Sequence, residues 1–169
     1  MSQVASEHRA DAPRQLVCAV ITVSDSRTLA TDTGGQLLCD LLAGAVIGLA
    51  AREITPDEPA TIRTLLERFR DDPNIDAVLL TGGTGISSRD QTCETVSSLL
   101  TKPLAGYGEL FRMLSFQEIG AAAMLSRAVG GLMERTVVLT MPGSPAAVRL
   151  AMERLILPEL RHLVREARR

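Results

Sequence analysis

Three glycines fall within four residues of the segment Thr81-Gly82-Gly83-Thr84-Gly85, and Ser88-Arg89-Asp90 follows closely behind. Without Cβ atoms such a segment can bring backbone N–H groups close to an anion and adopt positive φ. A helix beginning after Asp90 would add unpaired N–H donors and the positive end of its dipole. The chemistry that suits this combination is phosphate binding. It is not a Walker A loop, because no Gly-Lys-Ser/Thr ending is present. It is a poor dinucleotide fingerprint too, because Ser88 stands where a third glycine is required. A tight strand-to-helix turn with no ligand is the structural alternative.

Other residues have chemistry to offer around this loop. Arg89 could pair with phosphate oxygens, while Asp90 could hold Mg²⁺, orient a reacting group, or cap the next helix. Asp57 and Glu58 stand where a helix begins, as caps or first-turn acids favoured by the dipole. Pro142-Gly143-Ser144-Pro145 offers a further helix start, with Ser144 free to cap or to touch a phosphate. Ser126-Arg127 supplies a hydroxyl and a cation, a pair that elsewhere is often only solvated surface. Cys93, near a helix start, could have a lowered thiol pKa, but no histidine is placed to make it a nucleophile.

The elements that must position these residues can be read from periodicity. Leu16–Val23 and Ile75–Leu80 are short apolar runs rich in β-branched residues and predict strands buried on both faces. Ala45–Ile54 predicts another strand. Helices are expected over Gly34–Leu42, from Asp57 to about Asp72, beyond Asp90 with Val96, Leu99 and Leu100 inward, and over Gly108–Leu125. Ala128–Gly131 and Thr136–Met141 form a hairpin or two separate strands. A long final helix opens at Ser144-Pro145, and Pro158 must kink or interrupt it. Strands alternating with helices imply βαβ units and a mostly parallel sheet. The loops Ser24–Thr33, Thr81–Asp90 and Pro142–Pro145 should then converge on one rim, at the C-terminal strand ends.

Composition narrows the function classes. The 169 residues, 46% hydrophobic and 22% charged, are enough for one globular domain, expected from Leu16 onward after a flexible tail, Met1–Gln15. A formal charge of −2 and 2% aromatic residues do not favour nucleic acid. Three scattered cysteines and two distant histidines resemble neither a disulfide framework nor a zinc site. No signal peptide or membrane-length apolar run is evident, so the expected location is the cytosol.

Taken in order, the pieces Val23-Ser24-Asp25-Ser26, Thr31-Asp32-Thr33-Gly34, Pro56-Asp57-Glu58, Thr81–Gly85, Arg89-Asp90-Gln91-Thr92, Gly106-Tyr107-Gly108-Glu109, Ser126-Arg127 and Pro142-Gly143-Ser144 resemble the molybdenum cofactor biosynthesis MoaB/Mog family. The run Phe111–Phe116 looks like its MoaB branch. The resemblance spans about Val17 to Leu160 and implies a three-layer α/β/α sandwich. It implies adenylyl transfer from ATP to the terminal phosphate of molybdopterin, with Mg²⁺ assisting and pyrophosphate leaving. By the same resemblance Asp57 and Asp90 match the two acidic positions associated with catalysis and Mg²⁺. Gly82, Gly83 and Gly85 would cradle nucleotide or pterin phosphates, and Ser126, Arg127 and Ser144 would line the pterin side. Ser24, Asp25, Thr81, Thr84, Arg89, Glu109, Pro142 and Gly143 join the substrate-binding set. A homo-oligomer, trimer or hexamer, is implied as well. A non-catalytic molybdopterin-binding or assembly protein is the second reading; the presence of both aspartates favours the enzyme.

Overall fold

Apolar, β-branched runs form the centre of the molecule. In the computed structural model, which describes residues 16–169, β1 (Val17–Val23), β3 (Ala77–Thr81) and β6 (Thr136–Met141) lie side by side with almost every residue buried. β2 (Gly48–Thr55) flanks β1, and β5 (Gly130–Met133) and the two-residue β4 (Lys102–Pro103) extend the sheet beyond β6. The order is β2-β1-β3-β6-β5-β4. β2, β1, β3 and β6 are parallel; β5 runs antiparallel to both neighbours, so the two segments left open by periodicity are a hairpin. The expected tail Met1–Gln15 lies outside the described residues.

Alternation along each strand divides the core between two faces. Cys18, Val20, Leu79, Val137 and Leu139 pack against α1 (Thr33–Gly44), α4 (Ala105–Ile119), α5 (Pro145–Ala151) and α6 (Leu157–Ala167). Ala19, Ile21, Val78, Leu80 and Val138 pack against α2 (Pro59–Asp71) and α3 (Thr92–Leu99). The result is the expected α/β/α sandwich. Pro158 sits in the first turn of α6, directly after a π-helical turn at Met152–Ile156, so the final helix is interrupted where proline requires it.

Two boundaries differ from the periodic reading. α4 begins at Ala105, three residues ahead of the expected Gly108, because Gly106 and Gly108 obscure a helical start. Gly108 is needed there: a Cβ would stand 2.5 Å from the carbonyl oxygen of Ala128. Tyr107 beside it anchors the helix by donating its hydroxyl to Thr140 O at 2.8 Å.

α1 runs to Gly44, and β2 starts at Gly48 rather than Ala45. A Schellman turn fills the gap: Val46 N–H donates to Ala43 O at 3.0 Å and Ile47 N–H to Leu42 O at 3.0 Å. The turn places Val46 at φ 56°, a conformation that penalises a β-branched residue, and leaves its side chain 82% exposed. Val46→Gly removes the penalty without opening a cavity. Chemical denaturation should show it more stable by about 1 kcal/mol.

Candidate functional site

Because β1 lies between β2 and β3, the chain turns to opposite sides after β1 and β3, and a crevice opens between the loops that follow them. Gly82 and Gly83 occupy it with φ of 94° and 62°. Gly82 N–H donates to Met141 O at 3.0 Å, tying the end of β3 to the end of β6. A Cβ on Gly82 would overlap the carbonyl oxygen of Val23, and one on Gly143 would stand 3.3 Å from Gly82 Cα. Gly34, in the first turn of α1, leaves only 2.7 Å between a notional Cβ and Gly143 O. The loops after β1, β3 and β6 therefore meet on one rim, backbone against backbone.

Acidic residues surround this rim. Asp57, half-buried in the loop after β2, accepts a hydrogen bond from Gln91 N–H at 3.1 Å. α3 has no side-chain cap of its own, so Asp57 caps it from 34 residues away. It does not cap α2, whose N-cap residue is Glu58. Asp90 does not cap α3 either. Its carboxylate turns back to accept Ser87 N–H at 3.0 Å and lies where a Gly85 Cβ would be 2.6 Å away. Asp25 accepts from Asp57 N–H at 3.3 Å and from the Arg89 guanidinium. Ser24 uses its hydroxyl to hold its own loop, accepting from Arg27 N–H at 3.2 Å.

The remaining sequence candidates divide into three groups. Arg127 donates Nε–H to Thr84 O at 3.0 Å and pairs bidentately with Glu94 at 2.6 and 2.8 Å, clamping the glycine loop to α3. Ser126, Pro142 and Ser144 line a cavity of about 240 Å³ between the end of α4 and the start of α5. Ser144 also caps α5 by accepting Ala147 N–H at 3.2 Å, and Thr81 Oγ1 donates to Pro142 O at 3.2 Å. Glu109 stands apart from the glycine loop, on a separate cavity of about 220 Å³ shared with Ser97 and Arg112.

One residue that sequence reasoning missed is Thr92. It opens α3, is fully buried, and its hydroxyl has no hydrogen-bond partner among the described residues. A Cβ on Gly83 would overlap both Thr92 Oγ1 and Asp57 Oδ2, so these two oxygens face the space that glycine leaves free. A first-turn threonine looks ordinary in sequence, and only the packing exposes its missing partner.

The electrostatics separate the two aspartates. Burial, and then the nearby carboxylates of Asp90, Asp25 and Glu94, push the Asp57 carboxyl above its usual range despite the Gln91 N–H. Asp90 is held below its usual range by hydrogen bonds from Ser87 and Gly85. Glu94 is lowered by Arg127. Among the described residues neither Asp57 nor Asp90 has an ion-pair partner, whereas Asp25 and Glu94 do. Burial pushes the Cys93 thiol up, so the lowered value suggested by its helix-start position does not hold. Among the described residues no three His, Cys, Asp or Glu side chains cluster as metal ligands. Asp57 Oδ2 and the Thr92 hydroxyl instead converge at Gly83 as a pair of hard oxygens, with the Asp90 carboxylate close enough to raise the Asp57 carboxyl. Such a set suits Mg²⁺, which takes one or two carboxylates and completes its shell from water and phosphate.

A stability effect follows from the raised value at Asp57. The folded state binds this proton more tightly than the unfolded chain. The group's contribution is therefore fully favourable below the unfolded value, and is lost as pH rises through the folded one. Asp57→Asn keeps an acceptor for Gln91 N–H and removes the buried charge. Its melting temperature should exceed wild type at neutral pH, with the gain shrinking as pH falls through the Asp57 titration. Thermal melts of both proteins across that range would check it; a pH-independent difference would refute it.

Residues 19–162 match a family described as a probable molybdopterin binding domain. Over 165 residues the chain is 48% identical to molybdenum cofactor biosynthesis protein B of Bacillus cereus, covering 97% of this chain and 98% of that one. It is 49% identical over 164 residues to the protein of the same name from Bacillus subtilis, covering 96% of each. A crystal structure of a molybdenum cofactor biosynthesis protein B superposes with a TM-score of 0.90 at 49% identity, over 94% of this chain and 99% of that one. The tungsten cofactor synthesizing protein MoaB from Pyrococcus furiosus superposes with a TM-score of 0.82 at 35% identity, over 94% and 100% of the two chains.

Proposed function

The chain belongs to the family of probable molybdopterin binding domains, and from that premise we propose that it transfers an adenylyl group from ATP to the terminal phosphate of molybdopterin. Its relatives place it in molybdenum cofactor biosynthesis. The observation that supports transfer, beyond binding, is the pair of aspartates without ion-pair partners among the described residues, beside a glycine-rich loop at a helix N-terminus. In the reaction an oxygen of the pterin phosphate attacks the α-phosphorus of ATP. A new P–O bond forms, the bond from the α-phosphorus to the bridging oxygen breaks, and pyrophosphate leaves with the electron pair.

The chain's own part is positional and electrostatic. With the Gly82 N–H given to Met141 O and the Thr92 N–H to Gly83 O, the loop's remaining N–H donors at Gly83 and Thr84 would meet the phosphates. Arg89, exposed beside Asp25, can turn to phosphate oxygens. Arg127 holds Thr84 and so keeps the loop in shape. Asp57 and Asp90 would hold Mg²⁺, which when bound offsets the charge between carboxylates and phosphate oxygens. The cavity at Ser126, Pro142 and Ser144 adjoins the loop through Gly143 and is offered as the pterin side.

Purified protein mixed with molybdopterin, ATP and Mg²⁺ should yield adenylylated pterin and pyrophosphate in equal amounts. Pterin binding without product would leave a non-catalytic binding protein and sink the transferase reading.

We also read the chain as a cytoplasmic homo-oligomer, a trimer or hexamer. Support comes from exposed apolar side chains at Leu110, Met113, Phe116, Ile119, Met124 and Leu125 along α4 and the 3₁₀ turn that follows it, Gly120–Leu125. No helix among the described residues is long and apolar enough to cross a membrane.

A further inference from the structure

A buried hydroxyl without a partner costs free energy that folding alone does not require, since valine would fill the same volume without that cost. Thr92 Oγ1 is such a group: it belongs to a fully buried residue at the first position of α3 and makes no hydrogen bond among the described residues. Its surroundings are specific. The oxygen is closed off from solvent and directed at the small gap left by the missing Cβ of Gly83, and Asp57 Oδ2 is directed at the same gap from the loop after β2. Asp57 Oδ1 is occupied by Gln91 N–H, which leaves Oδ2 as the atom directed into that space. Asp57 also lies in a field of like charge from Asp90, Asp25 and Glu94, of which only Asp25 and Glu94 are paired with arginine.

Two hard oxygens directed into one space, with net negative charge around them, make a position for a small divalent cation. A phosphate oxygen placed there would be repelled by Asp57 unless a cation came between. Resting on the transferase reading, we infer that the Thr92 hydroxyl is a metal ligand, binding a divalent cation together with Asp57. The hydroxyl coordinates through its lone pair and keeps its proton, which can then point toward an incoming phosphate. Gly83 must be glycine here, since a Cβ would overlap both oxygens and its φ of 62° disfavours any L side chain.

The test uses Mn²⁺ alone, followed by electron paramagnetic resonance and calorimetry on the intact chain, with no pterin or nucleotide. Wild type should bind Mn²⁺ at one site. Thr92→Val should weaken that binding at least about tenfold while its melting temperature stays equal or rises, because the lost hydroxyl had no partner. Thr92→Ser, which restores the oxygen, should recover most of the affinity. Unchanged Mn²⁺ affinity in Thr92→Val, or no Mn²⁺ uptake by wild type, overturns the assignment. So does a loss confined to inorganic pyrophosphate binding, which would give the hydroxyl to phosphate instead. A Thr92-dependent Mn²⁺ site in a protein that makes no adenylylated pterin would uphold this inference and reject the transferase. Full turnover with Mn²⁺ binding indifferent to Thr92 would do the reverse.

Discussion

Replacing Asp90 with asparagine is expected to lower the turnover number of the proposed adenylyl transfer about 10²–10³-fold, while the melting temperature falls by no more than a few degrees. The amide oxygen can still accept Ser87 N–H, so the turn from Ser87 to Asp90 keeps its shape. What disappears is a carboxylate that is fully ionised at neutral pH, being held below its usual range, and that has no ion-pair partner among the described residues. A charge without an ion-pair partner among the described residues, on the rim proposed to hold phosphate, is available to a cation, and its removal should fall on the transition state more than on the fold. Steady-state kinetics with pyrophosphate release as readout, beside a thermal melt, would check this. Near-normal turnover would reduce Asp90 to a fastener of its loop. The contrast with Asp57→Asn is informative, since that variant should gain stability at neutral pH as the buried charge is removed.

The largest structural effect should come from Gly82→Ala. A methyl group there overlaps the carbonyl oxygen of Val23, with the carbonyl carbon at 3.3 Å, and the backbone at φ 94° disfavours any L side chain. Neither partner can retreat. Val23 is the buried last residue of β1, paired with Thr55 of β2, and Gly82 N–H is bonded to Met141 O. A loss of about 3 kcal/mol or more is expected, seen as a melting temperature lower by roughly 6–12 °C. A variant as stable as wild type would show that the loop can relax and that the glycine was not required by packing.

Much of this was legible before any coordinates. Buried strands announce themselves as apolar β-branched runs, and Ser144-Pro145 marked its helix start because capping is a local interaction. The convergence of three loops followed from parallel connectivity alone. The two-residue β4 was not legible, being too short for any period, and the hairpin was ambiguous until pairing was known. The site's working parts are less visible for a physical reason. Asp57 caps a helix 34 residues away, and Arg127 pairs with a glutamate 33 residues away. Neither bond leaves a trace in local spacing. Glu109 shows the converse limit, since the motif around it reads as one unit while the structure uses Tyr107 and Gly108 for packing and leaves Glu109 on another cavity.

The stacking of Gly34, Gly82 and Gly143 has a mechanical consequence. Side chains can change rotamer and absorb a displacement, but backbone in contact with backbone transmits it undiminished. A displacement of the loop after β3 is therefore expected to carry the first turn of α1 and the turn before α5 with it. Amide hydrogens in all three should exchange with solvent through a single cooperative opening, and filling one subsite should slow exchange in the others. Two ligands held by these loops, as proposed, would then be coupled without any hinge or lid.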